Sequence, residues 1–233
     1  MAEDNYPKHI GIILDGNRRW ARQKGKMPWD GHRAGFDKLK DLFKWAKELG
    51  IKELSLYCFS TQNFKRDKKE VDFLMGIFEK AANDLLKDKD IHDNKVKVRF
   101  IGRLHLLPEK VQKAAKKVME ATKDYNNYIV NFCVAYGGRE EIVDGVNKVI
   151  KDVKDGKIDG VDESSFAKYL YIQSDPDLII RTSGEKRTSN FLLWHSSYSE
   201  WFFLDKHWPD FTKEDLKNVV DDFVEKRNRR FGG

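Results

Sequence analysis

Two hydrophobic periods alternate along the chain, and this alternation limits the folds open to it more than any single residue does. Strand-length runs rich in apolar and β-branched residues occur at 9–14, 51–60, 96–101, 128–136, 177–180 and 190–194. Helical spacing fills the gaps between them. Phe36, Leu39, Leu42, Phe43, Ala46 and Leu49 recur every three or four residues after a Gly31-His32-Arg33-Ala34-Gly35 lead-in and stop at Gly50. Asp67 has the chemistry of an N-cap for a stripe of Val71, Leu74, Phe78, Ala81 and Leu85. Pro108 opens a helix through Val111, Ala115, Val118 and Thr122. Others follow through Val143, Val146, Ile150 and Val153, over 164–170, and through Leu216, Val219, Val220 and Phe223. Strand and helix in alternation predict an α/β fold, with a mostly parallel central sheet flanked by helices on both faces. No linker, repeat or low-complexity run divides the chain, so residues 1–233 are read as a single domain.

Charge narrows the partners without naming one. Lys and Arg exceed Asp and Glu by 44 to 38, a net charge of +6 that suits an anionic ligand. Acidic residues are interspersed among the lysines throughout, which argues against a nucleic-acid face. The two cysteines, Cys58 and Cys133, lie inside apolar runs and read as small core residues, not as a disulfide framework or zinc site. The segment Met1–Lys8 is polar and acidic, and no apolar run approaches the ~18 residues of a membrane span. The expectation is a cytoplasmic protein whose membrane contact, if any, is peripheral.

The residues at the strand ends carry the chemistry. Neither a Gly-x-Gly-x-x-Gly turn nor a Gly-Lys-Ser/Thr phosphate loop is present. Instead Asp15-Gly16-Asn17-Arg18-Arg19-Trp20 follows the first strand, Ser60-Thr61-Gln62-Asn63-Phe64-Lys65-Arg66 the second, and Arg181 through Ser189 the fifth. Each joins guanidinium groups to hydroxyl, amide or glycine residues, the inventory for wrapping phosphate oxygens. Parallel α/β sheets bind ligands at the carboxyl ends of their strands. An acidic side chain in such a basic site is either a salt-bridge partner or a ligand for a divalent cation. Asp15 and Glu200 are the candidates, since Mg²⁺ takes one or two carboxylates and fills its remaining positions with phosphate and water. His32 is either a donor to the same anion or a helix-start residue. Aromatic residues near these loops, among them Trp20, Phe59, Phe64, Tyr136, Trp194 and Trp201, are either core or the wall of an apolar pocket. A phosphate site beside an apolar pocket implies a lipid diphosphate.

The chain resembles the cis-prenyltransferases of the undecaprenyl diphosphate synthase type. The matching stretches are 9–21, 31–35, 59–66, 136–139, 177–185, 187–194, 198–200, 208–211 and 230–232, in the family's order. The resemblance implies a hydrophobic tunnel, Mg²⁺ as cofactor, and isopentenyl diphosphate and an allylic prenyl diphosphate as substrates. It implies an allylic site at Gly16, Asn17, Arg18, Arg19, Trp20, His32, Ser60, Thr61, Gln62, Phe64 and Arg66, and an isopentenyl site at Arg181, Arg187, Thr188, Ser189 and Arg230. Asp15 would hold the metal with Glu200 helping to place it, and Asp15 and Asn63 would be catalytic, Asn63 by assisting proton removal after condensation. A homodimer is implied, with Arg230 reaching the neighbouring subunit's isopentenyl site. Four positions depart from the pattern the resemblance implies: Pro28 stands where many bacterial members have an arginine, Lys186 where many have a histidine or glutamine, and Tyr128 and Ala135 where a smaller apolar residue and an asparagine are common. A short product, another prenyl acceptor, and a non-catalytic subunit are the alternative readings. On this reading Asp15→Ala removes turnover and leaves the fold intact.

Overall fold

Residue-level pairing resolves the alternation into one six-stranded sheet in which every neighbouring pair is parallel. The computed structural model describes residues 6–226. The strands are β1 (His9–Ile13), β2 (Glu53–Ser60), β3 (Val96–Ile101), β4 (Tyr128–Tyr136), β5 (Leu178–Arg181) and β6 (Glu200–Phe203), in the spatial order β3-β4-β2-β1-β5-β6. All of β1 is buried, as a central parallel strand covered on both faces must be. The helices are α1 (Asn17–Gln23), α2 (Pro28–Glu48), α3 (Lys68–Leu85), α4 (Lys89–Asp93), α5 (Glu109–Ala121), α6 (Gly138–Lys154), α7 (Glu163–Ala167) and α8 (Lys213–Lys226).

The larger core lies on one face, where α2, α3, α5 and α8 cover the sheet. Leu39, Leu42, Leu74, Phe78, Val111, Val118, Leu216 and Phe223 pack there against Ile10, Leu54, Leu56, Phe100 and Phe132. The opposite face carries a smaller cluster of Ile13, Tyr57, Tyr136, Ile172, Ile179, Phe191 and Leu192. From β1 the chain builds outward to β2 and later returns to add β5 on the other side. That reversal makes the carboxyl end of β1 a switch point in the topology.

Four sequence expectations are corrected here. Residues 190–194 form a turn and not the last strand, because Ser189, Asn190 and Leu192 hold φ values of 51°, 64° and 45°, outside the extended region. The sixth strand is Glu200–Phe203. The glycine lead-in belongs to α2 itself, which begins at Pro28. A Cβ on Gly31 would stand 2.0 Å from the Asn17 carbonyl oxygen, and one on Gly35 2.3 Å from Asn17 Oδ1, so both glycines let α1 cross α2 closely. Finally, the apolar stripe of α6 faces outward: Val143, Val146, Ile150 and Val153 are 41–52% exposed, whereas Gly138, Glu141 and Gly145 are buried.

Candidate active site

The loops after β1, β2 and β5 meet around a cavity of about 1060 Å³ at the carboxyl edge of the sheet. Asp15, Gly16, Asn17, Arg18, Arg19, His32, Ser60, Gln62, Asn63, Arg66, Arg181, Arg187 and Ser189 all line it. A bulge produces part of this geometry. The β2–β4 register slips between Tyr57 and Phe59, and Ala135 opposite takes φ 50°, so Tyr57 and Phe59 face opposite sides although two residues apart. Cys58, at the slip, is half-buried and lines the cavity, while Cys133 is buried; both are free thiols.

Asp15 sits between two cationic groups. Its Oδ2 accepts from Arg181 Nη2 at 2.8 Å, and its Oδ1 lies 3.4 Å from Arg19 Nη2. Arg181 also donates to Ser189 Oγ at 2.6 Å and to the Arg187 carbonyl, so this nearly buried guanidinium organises the loop after β5. Its Nε is buried without a hydrogen-bond partner among the described residues. Glu185 bridges the two halves, accepting from Arg19 Nη1 at 3.0 Å and from Arg187. On the other side, buried Glu70 takes hydrogen bonds from Arg66 at 3.0 Å and His32 Nε2 at 3.1 Å, with Arg18 at 3.8 Å. Burial pushes the His32 imidazole below its usual value despite Glu70, favouring the neutral ring. The amide oxygen of Asn63 accepts from the Ser60 N–H at 3.0 Å, which fixes the turn after β2.

The same cavity also has an apolar wall. Phe36 and Leu39 of α2 and Leu74, Ile77 and Phe78 of α3 form its apolar wall together with Phe59. Phe36 and Leu39 also line a second cavity of about 430 Å³, between the same helices and the sheet, with Phe43, Leu54, Leu85, Ile91, Tyr128, Val130 and Phe132. Apart from Phe59, the aromatic residues read as a possible pocket wall do not supply this surface: Tyr136 belongs to the opposite face, and Trp194 packs on Phe166.

Several predicted site residues are not brought to the cavity. Trp20 is buried with its indole N–H on Asp210 at 2.7 Å. Thr61 turns to Glu140, Phe64 packs edge-on against Phe59, and Thr188 lines a separate shallow cleft with Arg103 and Arg139. Glu200 is the clearest correction within one chain. It pairs with Leu178 at the amino end of β5, whereas Asp15 lies beyond the carboxyl end of β1, so roughly 10 Å or more of strand separates them. Glu200 and Asp15 of the same chain therefore do not share a metal. Arg230 lies outside the described residues.

A family model described as putative undecaprenyl diphosphate synthase matches residues 13–232. The chain belongs to that family, the cis-prenyltransferases. The tritrans,polycis-undecaprenyl-diphosphate synthase (geranylgeranyl-diphosphate specific) of Methanopyrus kandleri is 50% identical over 100% of this chain and 87% of its own length. The protein of the same name from Methanocaldococcus jannaschii is 49% identical over 100% of this chain and 85% of its own. Among solved structures, lavandulyl diphosphate synthase from Lavandula x intermedia in complex with dimethylallyl diphosphate superimposes with a TM-score of 0.89, at 34% identity, covering 99% of this chain and 98% of that one.

As a cis-prenyltransferase, the chain shows how its departures are accommodated. Pro28, one of the positions that depart from the pattern expected from sequence, forms the first turn of α2 at the cavity wall, and Arg22 and Lys26 line the same wall. Sequence reasoning passed over both cations, and it passed over Glu70, Glu140 and Glu185, which hold the arginines and loops in place. Glu70 had a legible signal, standing in the first turn of the predicted helix just after Arg66 and the Asp67 cap. Glu185 had none, since only the folded loop brings it to Arg19. The donor set also fits Mg²⁺. Two partly exposed carboxylates, Asp15 and Glu185, line the cavity among its arginines, and the described residues hold no cluster of three or more acidic, His or Cys groups. That suits a hard cation whose remaining ligands are phosphate oxygens and water.

Proposed function

We propose that this chain is a Mg²⁺-dependent cis-prenyltransferase condensing isopentenyl diphosphate with an allylic prenyl diphosphate to give a cis-polyprenyl diphosphate. The observation that carries the reading is a single cavity with cationic walls on both sides of Asp15 that continues into apolar space between α2 and α3. An amphiphilic diphosphate needs both halves. The names of the archaeal relatives favour geranylgeranyl diphosphate as primer and an undecaprenyl product.

The allylic diphosphate is assigned to Gly16, Asn17, Arg18, Arg19, His32 and Arg66, and isopentenyl diphosphate to Arg181, Arg187 and Ser189. Asp15 would hold Mg²⁺, which when bound neutralises charge growing on the departing allylic diphosphate. Arg19 and Arg66 hold that leaving group, and Arg181 and Arg187 set the second substrate so that its alkene faces the allylic carbon. Bond formation to that carbon and loss of diphosphate are followed by transfer of a proton from the former isopentenyl unit to a diphosphate oxygen or water, which creates the cis double bond and which Asn63 assists by orienting the groups. Phe36, Leu39, Leu74 and Phe78 exclude water, so the allylic cation is not quenched by hydrolysis. The two cavities sharing Phe36 and Leu39 serve as one tunnel for the growing chain, with Tyr128 at its far end.

A homodimer is part of the proposal. The outward stripe of Val143, Val146, Ile150 and Val153 is the surface assigned to it, and Arg230 completes the partner's isopentenyl site. None of the described helices is long and apolar enough to cross a membrane, so contact at product release would be peripheral.

The test is incubation with labelled isopentenyl diphosphate, Mg²⁺ and allylic primers of increasing length. Label in a long lipid diphosphate, greatest with geranylgeranyl diphosphate and abolished by a chelator, is the expected result. Label in no lipid product with any primer would contradict it.

A further inference from the structure

We propose that Glu140 is a positioning residue that ties the turn carrying Asn63 to the loop carrying Arg187 and Ser189, fixing the separation of the two diphosphate sites. The inference rests on the function proposed above and deepens it, since that function leaves Glu140 without a role. Its two carboxylate oxygens are used separately. Oε1 accepts from Thr61 Oγ1 at 2.6 Å, with Gln62 Nε2 at 3.4 Å, and Oε2 accepts from Asn190 Nδ2 at 2.9 Å. Thr61 and Gln62 belong to the turn after β2, and Asn190 directly follows Ser189.

The rest of the local structure is built around this bridge. Asn190 is clamped at three points: its carbonyl accepts from Gly138 N–H at 2.7 Å, its Oδ1 from Arg139 N–H at 2.8 Å, and its Nδ2 donates to Glu140. The clamp holds Asn190 at φ 64°, a left-handed conformation that asparagine tolerates, and Ser189 beside it at φ 51°, which a residue other than Gly or Asn adopts only when its surroundings determine it. Ser189 Oγ in turn receives Arg181, the guanidinium that also holds Asp15. Gly137 keeps the bridge possible: a Cβ there would stand 2.3 Å from Glu140 Oε2 and 2.5 Å from Asn190 Nδ2. Burial works against the charged form of Glu140, but the hydrogen bonds from Thr61 and Asn190 outweigh it and hold the carboxyl below the usual range.

Geometry and charge are separable by substitution. Glutamine keeps the reach: its oxygen can accept from Asn190, and its amide can donate to Thr61 Oγ1, a hydroxyl that serves as donor or acceptor. Alanine and the shorter aspartate break at least one arm. Glu140→Ala and Glu140→Asp should lower kcat on the order of ten- to a hundredfold, since a displacement of about 1 Å in a reacting pair has effects of that size. KM for the allylic primer should stay within about threefold, because none of its assigned contacts is removed. Glu140→Gln should recover most of the loss. Gly137→Ala, which displaces the bridge without deleting it, should behave like Glu140→Ala.

A second measurement works without turnover. In Glu140→Ala, amide hydrogen exchange should quicken at 61–66 and at 187–192 together, with the thermal transition intact. Unchanged kcat in the alanine and aspartate variants, a glutamine variant as impaired as alanine, or exchange that quickens in neither segment would overturn the bridge. Wild-type protein that transfers no label would count against the proposed function, and the exchange experiment would still decide the bridge.

Discussion

Asp15 is held by two arginines, and this changes what its replacement should do. Arg181 is nearly buried, so Asp15→Ala strands a guanidinium away from water and from its anion. Breaking a buried pair costs about 3–5 kcal/mol, and the partial exposure of Asp15 brings the figure toward the lower end or below it. The alanine variant therefore mixes lost chemistry with lost stability, contrary to the expectation from sequence that the fold would be untouched. Asp15→Asn keeps the volume and an acceptor while removing the charge. We expect its kcat to fall by about 10²- to 10³-fold, with a smaller drop in Tm than the alanine variant shows by thermal scanning. Wild-type turnover in Asp15→Asn with Mg²⁺ present would refute the role.

His195, on the loop before β6, gives a pH dependence of known sign. Burial opposes its charged form, but Glu141 at 3.7 Å and Asp175 at 2.9 Å outweigh burial and raise its pKa. A histidine raised in the folded state contributes stability in full below its unfolded pKa of about 6.5 and loses it as pH climbs through the higher folded value. The Tm gap between wild type and His195→Asn should be widest below about pH 6.5 and narrow toward alkaline pH. A gap of constant size would show that charge on His195 contributes nothing.

At the scale of elements, sequence period succeeded where one local cause decides the outcome. Asp67 caps α3 through the Lys69 N–H at 2.9 Å, and Pro108 precedes α5, both as residue chemistry predicts. It failed where tertiary contact decides. Residues 190–194 are apolar enough for a strand, but the Glu140 and Arg181 contacts hold their start in left-handed turns. The α6 stripe has perfect helical spacing, yet spacing cannot say whether a stripe faces the sheet or solvent. Gly31 and Gly35 read as a loop because nothing in the sequence announces that α1 crosses there. Gly31→Ala tests that crossing. Its Cβ would meet backbone, the Asn17 carbonyl, and not a movable side chain. Overpacking of this kind costs about 1–3 kcal/mol, so Tm should fall by roughly 2–12 °C. Activity should fall with it, because the displaced segment carries Asn17 and Arg18.

Across the whole molecule, much of the site was legible because the topology brings it to one edge. Once the strands are parallel, the residues after β1, β2 and β5 must emerge together, and Asp15, Arg19, Arg66, Arg181 and Ser189 do. Glu200 was not legible in this way, since the sequence does not say that it begins β6 instead of ending a strand. The proposed tunnel makes a separate prediction. Tyr128 lines the second cavity with Lys52 Nζ 4.7 Å over its ring, so if the two cavities form one tunnel, Tyr128→Ala enlarges it. Product chromatography should then show longer chains than wild type; an unchanged distribution would place the stop elsewhere. The central claim is that two diphosphates bind in separate cationic halves on either side of Asp15. Steady-state kinetics in which each substrate is varied at saturating levels of the other tests it most directly. Arg187→Ala should raise KM for isopentenyl diphosphate about tenfold, as loss of one charge-assisted contact does, and Arg66→Ala should do the same for the allylic primer alone. Variants that raise both KM values equally would contradict two separate halves.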